Sequence, residues 1–317
     1  MIPVICCFDK NMILPAKVCL FSLFENAKDK TNYDIFIICK VGEIPPEEKD
    51  SFNVLLKQYP QHRISFIEIK DFFKGAYEIR NITTTCYYRL LIPQLQKQIN
   101  SINQTNYNAI IYLDVDTIIE CDLSMLYNTS LKKEEWIGGI CETPLYNQSN
   151  TDYLIKIGCN PSEYINSGVL IMDINKLNET DFHKKCAEHQ QKQYICQDQD
   201  IINIVCKGHI KQLPLKYNYT TILYRLSISN QNFRKLKENE ISDTKDSIIH
   251  YTGEKPWNGY CLRSYIWWYY FMKSPYANRE TDLKNFLLVQ SQFINNAPIR
   301  NLIQEISFRI KNKIRKV

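Results

Sequence analysis

The feature that most limits what this chain can fold into is a repeated alternation of short, continuous apolar runs with stretches of helical spacing. Residues 2–8 read Ile-Pro-Val-Ile-Cys-Cys-Phe, residues 33–41 contain Ile35-Phe36-Ile37-Ile38-Cys39, and residues 63–69 and 108–113 are two further runs. A run that is apolar at consecutive positions suits a strand covered on both faces. Between the runs, Ala16, Leu20, Leu23 and Phe24 recur at helical spacing. Pro45-Pro46-Glu47-Glu48 opens a second helix, because proline loses no hydrogen bond in a first turn and acids complement the helix dipole there. Residues 84–98 read as a third helix. Such alternation predicts an α/β fold with a mainly parallel central sheet. Residues 136–141, 167–173 and 247–250 are further strand candidates, and 175–194 and 197–207 are predicted helices. No repeat or low-complexity linker interrupts the chain. The expected organisation is therefore one catalytic-size domain over residues 1–260 and a helical C-terminal region over 261–317.

Composition narrows the partners. A chain of 317 residues with 44% hydrophobic and 23% charged residues can bury a large core, which excludes a disordered or fibrous class. The net charge of +5 sits almost entirely in residues 295–317, which hold six basic residues and one acid; the remainder has 33 of each sign. A nucleic-acid binder would carry its basic stripe on the folded body, so nucleic acid is not an expected partner. Twelve cysteines occur without a CxxC pair, so no zinc site is predicted. The apolar run 2–8 has no basic residues before it and stops at Asp9-Lys10, too short for a secretory leader or a membrane span. The cysteines are accordingly expected to be reduced and buried, in a cytoplasmic chain.

Four constellations carry chemistry. In Ile110-Ile111-Tyr112-Leu113-Asp114-Val115-Asp116 a buried strand runs into two carboxylates. If the extended geometry continues, both face the same way, at the strand end where open α/β sheets bind ligands. Two such acids repel unless a hard divalent cation, Mg²⁺ or Mn²⁺, lies between them; the plain alternative is a strand ending in a polar loop. Ser247-Ile248-Ile249-His250 ends another strand in an imidazole, followed by Tyr251-Thr252-Gly253-Glu254-Lys255-Pro256-Trp257. Imidazole suits Mn²⁺ better than Mg²⁺, and a lysine beside a glycine turn suits a phosphate. Asn166-Ser167-Gly168 is a turn entering a buried strand. Gln197-Asp198-Gln199-Asp200 opens a helix with four polar side chains, an arrangement that capping alone can also explain.

Together with Ile5-Cys6-Cys7-Phe8-Asp9-Lys10 and Thr84-Thr85-Cys86-Tyr87-Tyr88-Arg89-Leu90, these motifs resemble glycosyltransferase family 8 over about residues 2–260, and are most similar to bacterial lipooligosaccharide and lipopolysaccharide galactosyl- and glucosyltransferases. The resemblance implies a GT-A type, Rossmann-like nucleotide-sugar-binding fold, a UDP-hexose donor, a glycan or glycolipid acceptor, retention of anomeric configuration, and Mn²⁺ (or Mg²⁺) as cofactor. It implies Asp114, Asp116 and His250 as metal ligands. Asp9, Arg89, Asp114, Val115, Asn166, Asp198, Gly253 and Lys255 are implied to contact the donor: Asp9 near the uracil, Arg89 and Asp198 at the sugar, Gly253 and Lys255 at the diphosphate. Gln199 matches the residue beneath the anomeric carbon, and Asp198 is the other candidate nucleophile. An amide is a weak nucleophile, which favours substitution on one face; the residues themselves leave both routes open. Two departures stand out: Phe8 replaces a commonly small residue, and the turn from Gly253 to Lys255 is one residue shorter than in some members.

Residues 299–317 place Leu302, Ile303, Ile306, Ile310, Ile314 and Val317 on one helical face, with Arg300, Lys311 and Arg315 elsewhere and Arg309 and Lys316 at its border, although Lys313 and Phe308 break the pattern. A basic amphipathic helix of this kind is expected to hold the protein on the inner face of the cytoplasmic membrane. The eight-residue aromatic stretch 265–272 is too short to span a bilayer and reads as a core helix. The rival readings are a non-catalytic nucleotide-sugar-binding module and a haloacid-dehalogenase-type phosphatase; Ile118 and the lack of a later Gly-Asp-x-x-x-Asp speak against the latter. The donor hexose, the linkage and the oligomeric state are not readable from the residues.

Overall fold

The computed structural model describes residues 1–70, 72–73, 75–78, 84–141, 148–228, 246–259, 261–296 and 306. Ten strands are described: β1 Ile2–Cys7, β2 Tyr33–Lys40, β3 Arg63–Ile69, β4 Ala109–Leu113, β5 Thr117–Ile119, β6 Ile137–Cys141, β7 Ile165–Asp173, β8 Ile210–Gln212, β9 Tyr219–Thr220 and β10 Ile248–His250. Seven form one sheet in the order β3-β2-β1-β4-β7-β6-β8. The neighbours pair in parallel except that β7 runs antiparallel to both β4 and β6. A mainly parallel α/β sheet is thus what the apolar runs build. The second sheet, β5-β10-β9, is small, with β5 antiparallel and β9 parallel to β10.

Each face of the large sheet has its own core. Val4, Cys6, Ile35 and Ile37 pack with the Ile13–Glu25 helix on one side, whereas Ile5, Phe36, Ile38, Ile110 and Tyr112 pack with residues 87–92 on the other. Alternate side chains of a strand leave by opposite faces, so continuous apolarity is what a doubly covered strand requires. The named strand residues are each fully buried, at about 1.5–3 kcal/mol per large aliphatic side chain.

Two predicted helices take other forms. Thr84–Leu95 is a 3-10 helix that gives way to an α-helix at Gln96–Ile102; Pro93 lies inside it and lacks the N–H that an α-helix would use there. The predicted helix 175–194 breaks into Ile174–Glu179 and Phe182–Ala187, with Asp181 between them in the left-handed region at φ 53°. The aromatic stretch is a helix, Ser264–Lys273, whose Trp267, Trp268 and Phe271 are buried while Tyr265 and Tyr269 face outward. It is tied to the body by the Asn26 side-chain amide, which donates to the Tyr270 hydroxyl at 2.8 Å. Arg279–Asn296 follows as a helix, with Phe286 against Trp268. No helix among the described residues is long and apolar enough to cross a membrane. The basic stretch 299–317 lies, but for Ile306, outside the described residues.

All twelve cysteines are free thiols, eight of them buried. Burial pushes the Cys19 thiol up to about 12, far from the thiolate form that reacts or binds metal. His62 is another buried titratable group with a marked shift, outside the strand-end cluster described below. Its Nδ1 accepts the Tyr33 N–H at 3.1 Å, Phe24 stacks on its ring at 4.2 Å, and burial lowers its pKa to about 4. An unfolded histidine takes its proton near pH 6.5, so the stability this neutral ring contributes is present above that pH and is lost as the pH falls toward 4, by roughly 3 kcal/mol. Urea midpoints should therefore drop between pH 7 and 4.5. His62→Asn, which keeps an acceptor for Tyr33, should remove much of that drop; an unchanged pH dependence would exclude His62 as its source.

Candidate active site

Three strand ends meet at one place. β1 and β4 are parallel neighbours, so the residues that follow them, Asp9 and Asp114, emerge at the same sheet edge. β7 runs the other way and enters at that edge with Asn166, Ser167 and Gly168; the Asp114 N–H donates to the Gly168 carbonyl at 2.7 Å. β4 ends at Leu113, so the extended geometry does not carry both acids. The chain turns at Asp114–Asp116 into β5, and the antiparallel pairing of β5 with β10 places His250 opposite Thr117. The register is locked by the Tyr251 N–H on the Asp116 carbonyl at 3.0 Å.

The result is a three-residue cluster. Asp114, Asp116 and His250 each offer one ligand atom, all within 4.8 Å of one another. His250 Nε2 lies 3.2 Å from Asp116 Oδ1 and 4.0 Å from Asp114 Oδ2. The other oxygens are engaged elsewhere. Asp116 Oδ2 accepts from Lys255 Nζ at 2.5 Å, and Asp114 Oδ1 accepts from Arg89 at 2.9 Å and from the Tyr112 hydroxyl at 2.7 Å. Each carboxylate therefore turns one oxygen toward the imidazole nitrogen, with Asp114 Oδ2 also accepting a long 3.4 Å contact from Arg89 Nη1. A hard divalent ion bound at about 2.1 Å needs donors roughly 3–4 Å apart. Two carboxylates and an imidazole suit such an ion chemically, and the two separations from His250, 3.2 and 4.0 Å, lie in that range, with all three ligand atoms within 4.8 Å of one another.

Charge is arranged around that point. Burial would raise the Asp116 carboxyl, but Lys255 and His250 outweigh it and hold the group well below the usual carboxylate range. Burial disfavours a charge on His250, yet the adjacent Asp116 raises its pKa above the ordinary imidazole value. Behind the cluster, Arg89 bridges two acids: its Nε lies 3.0 Å from Asp198 Oδ2 and its Nη2 2.9 Å from Asp114 Oδ1, while the guanidinium sits 4.4 Å over the Tyr112 ring. Burial opposes the Arg89 charge, but Asp114 and Asp198 keep the guanidinium protonated. For Asp198 burial wins and its carboxyl is raised, with Arg89 acting against the shift. Removing one member of a buried ion set strands the others, at about 3–5 kcal/mol. Arg89→Leu is expected to lower the unfolding free energy by about that much, readable in a denaturant titration; a loss no larger than that of a surface substitution would contradict the reading.

The remaining sequence-predicted residues fall as follows. Asp198 and Gln199 open the Gln197–Val205 helix and are 5% and 8% exposed, so each presents only a small surface to the site. Gln199 is oriented by two contacts: its Oε1 accepts the Ser167 N–H at 3.1 Å and its Nε2 donates to the Tyr164 hydroxyl at 3.0 Å. That hydroxyl donates in turn to Asp200 at 2.5 Å. Asp9 caps the short 3-10 helix Lys10–Met12, accepting the Asn11 N–H at 2.9 Å. Gly253 adopts φ +89°, a conformation that favours glycine, in the turn that brings Lys255 back onto Asp116. Val115 buries its side chain in the core, so that side chain offers nothing to a ligand. Three participants had no prior signal as functional residues. Ser167 accepts from Arg89 through both its carbonyl, at 2.7 Å, and its hydroxyl, at 3.1 Å. Tyr112 braces Asp114. Asn218 contacts His250 at 2.9 Å. Ser167 and Tyr112 lie inside motifs singled out for their neighbours; Asn218 lies in no motif.

A mainly parallel sheet of this order, with an acid pair met by a histidine at its ligand-binding edge, is an α/β architecture of the GT-A type, and the family match makes it a glycosyltransferase. The chain belongs to glycosyl transferase family 8, whose family model matches residues 3–261. It is 29% identical over 210 residues to a putative glycosyltransferase of Haemophilus influenzae, a match covering 64% of this chain and 58% of that protein. It is 27% identical over 171 residues to a lipopolysaccharide 1,2-glucosyltransferase of Escherichia coli K12, covering 51% of this chain and 48% of that one. The chain thus spans only about half the length of these two relatives. Among solved structures, the galactosyltransferase LgtC in complex with donor and acceptor sugar analogues shares the fold at a TM-score of 0.71 and 24% identity, covering 88% of this chain and 98% of that one.

Proposed function

We propose that this glycosyltransferase moves a hexose, galactose or glucose, from a UDP-sugar to a glycan acceptor with retention of configuration, using a divalent cation held by Asp114, Asp116 and His250. The observation that carries the reading is the convergence of those three side chains, with Lys255 beside them, at the sheet edge where α/β folds bind ligands. The imidazole in the set favours Mn²⁺ over Mg²⁺. When bound, the ion acts as a Lewis acid toward the diphosphate oxygens, where negative charge grows as the glycosidic bond breaks. Lys255 adds a fixed positive charge to the same leaving group. Gly253 allows close backbone approach in that turn. Arg89 and Asp198 form one rigid ion pair that orients the donor sugar, and Asp9 lies toward the base.

A double displacement would need a nucleophile beneath the sugar. The Gln199 carbonyl oxygen already accepts a backbone N–H, and Asp198 is tied to Arg89 and to the Ser167 hydroxyl at 3.2 Å. Both contacts reduce nucleophilicity, which supports one-face substitution in which the leaving phosphate takes the acceptor proton. The names of the E. coli relatives support a lipopolysaccharide-type or other surface-glycan acceptor. The basic residues of 299–317 support a peripheral position at the inner face of the cytoplasmic membrane.

The test is a screen of UDP-galactose, UDP-glucose and their N-acetyl forms with Mn²⁺, with mass detection of products. Transfer or donor hydrolysis that a chelator abolishes is the expected result. UDP binding without turnover would support the binding-module reading, and phosphate release from small esters the phosphatase reading; either would overturn this one.

A further inference from the structure

The hydrogen bonds behind His250 run in one direction, and that direction is forced from its far end. The Gly168 N–H can only donate, and it reaches Asn166 at 2.9 Å, so the atom it meets is Asn166 Oδ1. The Asn218 side chain also contacts that oxygen, at 2.7 Å, and must therefore present its NH₂ there. The other end of the Asn218 amide is then its oxygen, which lies 2.9 Å from His250 Nδ1. An oxygen facing Nδ1 calls for a proton on Nδ1 and leaves Nε2 as the ring atom for the acid pair. Asn218 is fully buried, Asn166 and His250 nearly so, so water cannot reverse the order. The fold supplies the contact: Asn218 closes the 3-10 helix Leu215–Asn218, directly before β9, and β9 pairs with β10 so that Thr220 lies opposite His250.

We infer that Asn218 is a positioning residue that fixes the tautomer and ring orientation of His250, so that Nε2 is presented as a metal ligand. The inference rests on the cation site proposed above. Outer-shell partners of a ligating histidine commonly govern affinity by 10–100-fold, and Asn218 is such a partner, set in place by the backbone of Gly168 through Asn166.

Two near-isosteric variants separate this role from packing. Asn218→Asp keeps an acceptor toward Nδ1 while giving up the N–H that meets Asn166, whereas Asn218→Leu keeps the volume and gives up both, so between the two it is the acceptor toward Nδ1 that is kept or lost. Mn²⁺ affinity, read by electron paramagnetic resonance without donor sugar, should stay within about threefold of wild type for the aspartate variant and fall about 10–100-fold for the leucine variant. The reverse order, or equal affinities, would overturn the inference. A second measurement needs no variant. The chain has five histidines, so ¹⁵N-histidine labelling should resolve a slowly exchanging Nδ1–H of His250 in the wild-type protein at neutral pH. An unprotonated or freely exchanging Nδ1 would refute the role of Asn218. Wild-type protein that binds no Mn²⁺ yet shows the protected Nδ1–H would instead sink the cation site and leave the Asn218–His250 contact standing.

Discussion

Asp116→Asn is expected to abolish cation binding and to cut sugar transfer by about 10³-fold or more, the equivalent of roughly 4 kcal/mol of transition-state stabilisation. The carboxylate serves three partners at once. Its Oδ2 carries Lys255, its Oδ1 faces His250, and it stands within ligand distance of Asp114. Asparagine keeps the volume, removes the charge, and leaves the Lys255 ammonium without its anion. Chelator-treated wild-type protein should fall to the same residual rate, and adding chelator to the variant should change nothing further. A variant that transfers sugar near the wild-type rate, or that still responds to chelator as strongly as wild type does, would remove Asp116 from the site. Stability should be measured alongside, because the pKa of Asp116 is held low by the folded protein. Above the ordinary carboxylate pKa that depression favours the native state, and the benefit fades as the pH falls below that range.

Gly168→Ala is the second change with a large effect, and it acts by volume alone. A Cβ at this position would lie 2.2 Å from His250 Cε1, 2.8 Å from His250 Nδ1 and 2.8 Å from Asp114 Oδ2. Atoms do not pack that closely, so one ligand or the strand must move. His250 is buried and held by Asn218, while Asp114 is held by Arg89 and Tyr112. Neither can yield cheaply. We expect Mn²⁺ affinity and turnover each to drop by about 100-fold, the usual consequence of misplacing a reacting or ligating group by about 1 Å. The cost in stability should be smaller, about 1–3 kcal/mol, as for other overpacked sites. Isothermal titration with Mn²⁺ beside a thermal melt separates the two. Undiminished affinity in a folded variant would mean that the two ligands are not confined as described.

Both predictions turn on residues whose importance was unequally visible beforehand. The acid pair Asp114 and Asp116 is legible because a buried apolar run that stops at two acids is a local pattern, and strand ends are where such sheets bind ligands. His250 and Lys255 are legible only through their motif. Nothing in a linear reading says that β5 and β10 pair, and it is that pairing which swings the imidazole over the acids. Gly168 stood in the sequence as a turn residue; in the fold it is the floor on which His250 and Asp114 rest. The helix over 175–194 was overextended because its apolar spacing continues across Asp181, and the left-handed break there carries no glycine to announce it. Thr84–Leu95 took a tighter winding than its spacing suggests, with Pro93 denying it one α-helical hydrogen bond.

The residues alone determined the layering of the fold, because doubly covered strands must be apolar at consecutive positions and that pattern is written in neighbouring letters. They also determined the stock of chemistry, acids, imidazole, lysine and amides, since side-chain type does not depend on folding. The three-dimensional arrangement decided which oxygen of each acid is left for a cation, which nitrogen of His250 faces it, and that Asn218 belongs to the site at all. Those are questions of direction and of distance between segments far apart along the chain, and strand pairing and hydrogen-bond polarity answer them only once the sheets have closed.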